Sequence, residues 1–345
     1  TGVQTCALPI SVNDVAPSAL AYASPNVFTK GQTITALSPS ISGSVISYSI
    51  APSLPSGFTF DTTSGVISGT PNVVSAAAIY TVTAINSGGS TSFGISITVN
   101  DIAPSALSYP SPNVFTVGSS IANLVPTFTG NVTSFSITPS LPSGLSFDTA
   151  TGVISGTPTL VSSTSIYTVT ALNSGGSTSF GVSITVNDVA PLALSYNSPN
   201  VFTVGSSIAN LVPTFTGNVT SFSITPSLPS GLSFDTTTGI ISGTPNAVSA
   251  TSIYTVTALN SGGSTSFGVS ITVNDVAPST LNYPSPNVFT KGTTITNLNP
   301  TVSGGAVTDY AIVPALPQGL NFDTDTGVIS GTPTLIAPTG IYTVT

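Results

Sequence analysis

Charge is almost missing from this sequence. Ten aspartates and two lysines, Lys30 and Lys291, are the only charged residues in 345, about 3% of the chain, against about 25% in an ordinary soluble domain. There is no Glu, Arg, His, Met or Trp, and cysteine occurs once, as Cys6. Each absence excludes something. Two lysines cannot neutralise a run of phosphates, so no nucleic-acid partner is expected. A basic helix lying on a membrane surface is excluded for the same reason. No apolar run approaches the roughly 18 residues of a spanning helix, so no membrane insertion is expected. Without histidine or glutamate the abundant serines have no general base. An aspartate pair could serve glycoside hydrolysis, but the recurring aspartates, such as Asp101 and Asp148, fall at a junction and in a turn. The chain is therefore read as not an enzyme, and no cofactor is expected.

What remains is glycine (32), proline (28), serine, threonine and a 40% hydrophobic fraction rich in β-branched residues. That fraction is too high for a disordered chain. The sequence repeats with a period of 87 residues. Asp14, Asp101, Asp188 and Asp275 each open a copy after VN. LPSGLSFDTATGVISGTP at 141–158 returns as LPSGLSFDTTTGIISGTP at 228–245, with looser copies at 54–71 and 316–333. Copies two and three differ at eight positions, and copy four carries one extra residue within SGGAV at 303–307. A period of 87 exceeds the roughly 20–50 residues of a solenoid repeat and matches a small domain with its own core. The expected domains are 14–100, 101–187, 188–274 and 275–345, the last incomplete. Residues 1–13 are read as a non-native, adapter-like leader joined to the remnant of a preceding repeat, so Cys6 is given no function.

Within a copy the strands follow from period-two alternation. STSFGVSITV, 177–186, puts Phe180, Val182, Ile184 and Val186 on one face. IYTVTAL, 166–172, aligns Tyr167, Val169 and Ala171. NSGGS, 173–177, reads as the hairpin turn between them. SFSIT at 134–138, LSF and VIS add shorter strands, with Asp148 opening the turn between the last two. Prolines mark edges and connections, and no segment carries a helical stripe. Six to eight short strands predict an antiparallel β-sandwich.

The segment LPSGLSFDTATGVISGTP, followed by IYTVTALNSGGSTS, resembles the immunoglobulin-like (He_PIG-type) tandem repeat of bacterial surface proteins, related to dystroglycan-type cadherin-like domains. The resemblance spans all four copies. It implies an all-β tandem array of Ig-like or cadherin-like sandwiches, extended like beads on a string, in an extracellular or cell-surface protein. It also places Tyr80, Tyr167, Tyr254 and Tyr342 where such sandwiches carry a corner tyrosine, although plain core packing fits them equally well.

Candidate sites are few. Calcium is the one metal to consider, through the junction residues Asp101, Asp188 and Asp275, and through Asp323 and Asp325 with their alternating oxygens. Against it, calcium takes six to eight oxygen ligands, and an Asx turn or strand end accounts for the same residues. Asn131 and Asn218 sit in N-x-T sequons, which makes them candidate glycosylation sites. Tyr109, Tyr196 and Tyr283 are candidate exposed platforms for a carbohydrate or protein, with core packing as the plainer role. Isopeptide cross-linking is set aside because copies two and three contain no lysine.

The expected function is a non-catalytic stalk that spaces another domain from the cell, its hinges stiffened by Pro17, Pro104, Pro191 and Pro278. One alternative is a subunit of a self-assembling, glycosylated extracellular fibre, prompted by the uncharged surface. The other is an adhesin for carbohydrate or protein. The partners are then neighbouring repeats, further copies of the chain, or a surface glycan or protein. An isolated copy, residues 101–187, is expected to unfold in one cooperative transition in urea. A non-cooperative profile would count against autonomous domains.

Overall fold

The computed structural model describes residues 8–345. Cys6 and the leader's first seven residues lie outside the described residues. The described chain contains strands and no helix. It divides into two compact units, residues 1–187 and 188–345, each holding two repeats.

The first repeat shows the plan. Its strands are β1 (Ser18–Ala21), β2 (Asn26–Thr29), β3 (Ser40–Ser42), β4 (Ser47–Ala51), β5 (Phe58–Phe60), β6 (Ile67–Gly69), β7 (Ser75–Asn86) and β8 (Gly89–Asn100). One sheet has the order β2-β8-β7-β4. In the other, β1 pairs with β3 and β5 with β6, and a bridge between Leu37 and Ile67 joins the two pairs. Leu37 lies just before β3, so the bridge sets the β1-β3 pair beside the β5-β6 pair. The second repeat places equivalent strands from Ser105–Ser108 to Gly176–Asn187, and the third from Leu192–Ser195 to Gly263–Asn274.

The alternation explains the core. Val182, Ile184 and Val186 are fully buried, and Tyr167, Val169 and Ala171 meet them from the adjacent strand. Ile166, Thr168 and Thr170, on the opposite face, stay exposed or half-buried, as the pleat requires. The hairpin between β7 and β8 turns on two residues, Ser87 and Gly88, since Asn86 pairs with Gly89. These two strands are twelve residues long, longer than the short strands expected from sequence.

The antiparallel sandwich expected from the sequence is present, with one parallel pairing added. Strand β2 runs parallel to β8, with Asn26 opposite Ile97 and Thr29 opposite Asn100. Its cause is a crossover at the start of the repeat. Strand β1 belongs to one sheet, and within four residues the chain passes through Pro25 into the other, where it runs along β8 in the same direction.

Of the two roles considered for Tyr109, Tyr196 and Tyr283, the structure supports packing. They are not exposed platforms. Tyr109 and Tyr196 are only 5% and 7% exposed. Their hydroxyls donate to the carbonyl oxygens of Gly152 and Gly239, at 2.6 Å each, and Tyr283 does the same to Gly327 at 2.5 Å. The first repeat makes the same bond from Tyr22 to Gly65. A tyrosine at the end of β1 thus ties one sheet to the turn that Asp148 opens. Tyr80, Tyr167 and Tyr254 are core residues. Asp148 Oδ1 accepts the N–H groups of Ala150 and Thr151, at 2.8 and 3.3 Å, which fixes that turn.

Burial pushes the Tyr109 phenol up to about 12 and raises those of Tyr22 and Tyr196 as well, with Tyr48 adding to the shift at Tyr22. An unfolded tyrosine ionises near pH 10, so between about pH 10 and 12 the native state holds protons that the unfolded state has lost. Stability is therefore expected to be intact below pH 10 and to fall as pH rises through that window. Tyr109→Phe should flatten the slope in an isolated second repeat while costing about 1–3 kcal/mol at neutral pH, because the Gly152 carbonyl loses its donor. Urea unfolding at pH 7 and across pH 9–12 measures both effects.

Candidate functional site

The turn Asn-Ser-Gly-Gly occurs at 86–89, 173–176 and 260–263. Asn173 follows Tyr167, Val169 and Ala171 on the buried face of its strand, and it is a polar residue only 5% exposed. Buried amides need partners, and Asn173 finds three on the main chain. Its Nδ2 donates to the carbonyls of Ile102 (2.6 Å) and Asn131 (2.8 Å), and its Oδ1 accepts the N–H of Gly175 (2.8 Å). One carboxamide thereby joins the hairpin, the turn at 130–131 and the segment that leads into the repeat. Asn86 makes the same three bonds, to Val15, Ser44 and Gly88. In the second unit Asn260 bonds Val189, Asn218 and Gly262.

The next residue completes the clamp. Ser174 Oγ accepts the N–H of Asp101 at 2.8 Å. The other polar group of that same peptide unit, the Asn100 carbonyl, accepts the N–H of Lys30 at 2.9 Å. A single peptide group between the first and second repeats is thus held from both sides, leaving no free linker residue between them. Gly175 is required here, because a Cβ would overlap the Asp101 carbonyl. Ser87 and Ser261 make the equivalent bonds to the N–H groups of Asp14 and Asp188.

Asp101 lies at the centre of this junction. Its Oδ2 accepts the Asn131 amide at 3.0 Å and its Oδ1 the N–H of Ile102 at 2.9 Å. The Asn131 amide foremost, then that N–H, and then the nearby Lys30 charge hold the carboxyl below the usual carboxylate range. Lys30, Gly31, Asp101, Ser105 and Asn131 bound a cavity of about 390 Å³.

Of the five aspartates considered for calcium, four already have their carboxylates hydrogen-bonded. Asp188 bonds Asn218 and the N–H of Val189. Asp275 accepts the N–H of Val276. Asp323 Oδ1 accepts the N–H groups of Thr326 and Asp325, at 3.0 and 2.9 Å, and these bonds lower its pKa. Asp325 points into solvent from the same turn. Among the described residues no three acidic, histidine or cysteine side chains converge. These residues do not fit the six to eight oxygens of a calcium cage. Asn131 and Asn218, the sequon residues, are exposed, but their amides are donors to Asp101 and Asp188.

Sequence reading passed over the clamp. The signal was available: an asparagine on the apolar side of a strict alternation, followed by an unchanged Ser-Gly-Gly in three copies.

Asn173→Ala leaves the Ile102 and Asn131 carbonyls and the Gly175 N–H without a partner. It is expected to cost the second repeat about 1–3 kcal/mol. Hydrogen exchange distinguishes this from general loosening: the Asp101 amide should exchange faster while the Val169 amide is slowed by the intact core. Equal acceleration at both would contradict a local clamp.

The family described as "Putative Ig domain" matches residues 9–100, 103–187, 184–274 and 277–345. Two curated proteins, each named "Serine-rich adhesin for platelets", from Staphylococcus aureus strains MRSA252 and USA300, are 34% identical over 157 residues. That stretch is 44% of this chain but 11% and 7% of those proteins, so the chain spans only a small part of them. Among solved structures, a titin I-band fragment of three Ig domains aligns with 77% of this chain and 100% of its own length, at 16% identity and TM-score 0.38. Sidekick-1 immunoglobulin domains 1–5 align with 92% of this chain and 74% of theirs, at 15% identity and TM-score 0.34.

Proposed function

Given that the chain belongs to the "Putative Ig domain" family along nearly all its length, we propose that it is a non-catalytic spacer within an extracellular bacterial surface protein. The single observation that carries this reading is the peptide group between Asn100 and Asp101, whose carbonyl is bound by one repeat and whose N–H is bound by the next. A spacer needs stiff joints more than it needs a reactive surface, and this joint is built from main-chain groups and short polar side chains. The Staphylococcus relatives are named as adhesins, which supports a cell-surface setting. Their platelet binding belongs to those proteins. The domain limits 14–100, 101–187, 188–274 and 275–345 are part of this proposal.

Self-assembly into a fibre is a second reading, favoured by one feature. The outer face of the four-stranded sheet carries the same exposed apolar residues in each of the first three repeats. Ile79, Ile166 and Ile253 are 68%, 65% and 65% exposed. They lie among uncharged hydroxyl pairs such as Thr83–Ser92 and Thr170–Ser179. No charge on this face opposes the approach of another copy.

Small-angle scattering of chains with two, three and four repeats tests the spacer. The maximum dimension should grow by a constant roughly 30–40 Å per repeat, the length of a strand of about ten residues. Addition of a chelator should leave it unchanged. Collapse toward a compact particle, or a chelator-dependent shortening, would contradict the spacer or its calcium-free joints.

A further inference from the structure

Each four-stranded sheet is assembled from two separate stretches of chain. In the second repeat the two middle strands, Ser162–Asn173 and Gly176–Asn187, form one hairpin, and the edge strands Asn113–Thr116 and Ser134–Thr138 come from the body that precedes it. The hairpin supplies Tyr167, Val169, Ala171, Val182, Ile184 and Val186, six of the eleven buried residues of this core. The body, residues 101–158, supplies the other five. Leu160 and Val161, 63% and 52% exposed, connect the two parts. The third repeat is divided in the same way, with Ala247 and Val248 as its exposed connector.

The second and third repeats are interchangeable across this division. All eleven core residues of the second recur unchanged 87 positions on in the third. The eight positions at which the two repeats differ are all exposed or half-buried. The pair beside the core residues Ile154 and Ile241, Val153 and Ile240, is half-buried. The ladders share one register: Ser134–Thr138 against Leu172–Thr168 in the second repeat, and Ser221–Thr225 against Leu259–Thr255 in the third. The carboxamide clamp bonds the carbonyl of Ile102 in one repeat and of Val189 in the other, a main-chain group that the substitution leaves unaltered.

We propose that the body of the second repeat accepts the hairpin 249–274 of a second copy of this chain, while the third repeat of that copy accepts the hairpin 162–187 in return. Buried contacts, ladder register and clamp are then those of the closed repeats. The exchange is offset by one repeat. The first copy keeps its third repeat and the second copy its second repeat, and both are able to exchange with further copies. A head-to-tail contact of this kind does not close on itself, so it propagates. The short connector keeps each hairpin beside its own body, so closed repeats prevail in dilute solution. A hairpin cannot leave without opening the core, so exchange is set while the chains fold together and not between native chains. The proposal rests on the self-assembly reading and names the element that the copies share.

Paired cysteines test it. Ser136 lies opposite Thr170, and Ser223 opposite Thr257. After exchange, Ser136 of one copy stands opposite Thr257 of the other. Two full-length chains, both carrying Cys6→Ser, one with Ser136→Cys and the other with Thr257→Cys, are mixed in urea, refolded together at high concentration and oxidised. The expected result is a disulfide-linked pair of the two chains, at least about tenfold more abundant than when Ile253→Cys, four residues along the same strand face and too distant for a disulfide, replaces Thr257→Cys. The absence of a linked pair overturns the proposal. Equal linkage with Ile253→Cys, or in a mixture of the native chains never unfolded, also overturns it but leaves lateral association standing.

Discussion

Everything specific to this chain depends on a buried carboxamide whose hydrogen bonds all go to the main chain. Asn173 reaches residues 71 and 42 positions away and closes its own hairpin at the same time. Buried and fully satisfied, such a group fixes geometry, because any displacement leaves carbonyls without donors in a place where water cannot replace them. The two long strands bring the carboxamide to the end of the repeat, and Ser174 carries the constraint into the peptide group at Asn100–Asp101. Stability inside each sandwich comes from the apolar face of these strands, and the turn that joins them holds its end through hydrogen bonds to the main chain. In a chain with 3% charged residues it is short polar side chains and backbone groups that make the joint.

The fourth repeat pairs only some of its segments among the described residues. Its two-stranded pairings at Pro278–Asn282 with Thr301–Gly304, and at Leu320–Phe322 with Ile329–Gly331, are present. So is the tyrosine bond to Gly327. Yet NVFT at 287–290 is not a strand, although the identical NVFT at 26–29, 113–116 and 200–203 is. The same four residues thus take different states according to whether a ladder partner lies beside them. This is tertiary context deciding a short segment whose own propensity is weak.

The sequence made most of the sandwich legible. Alternation in 177–186 identified the buried face from Phe180 to Val186, and Asp148 and its turn were readable from Asx chemistry. Three things were not readable. The parallel pairing of NVFT depends on the chain changing sheets between Ala21 and Asn26, which no local pattern encodes. Tyr109 could have faced either way, because one aromatic beside a proline has no alternating run to assign its side. Asn173 was hidden because its partners lie far off in sequence, and a polar residue next to a Ser-Gly-Gly turn is easily counted as part of a loop. The candidate site was therefore legible as a turn but not as a joint.

The central claim is that the Asn-Ser-Gly-Gly clamp makes neighbouring repeats turn as one body. Residual dipolar couplings measured on residues 14–187 test it most directly, since each repeat reports its own alignment. The account predicts a single alignment tensor shared by residues 14–100 and 101–187. Two tensors of different magnitude, each repeat reorienting by itself about the Asn100–Asp101 peptide, would contradict it.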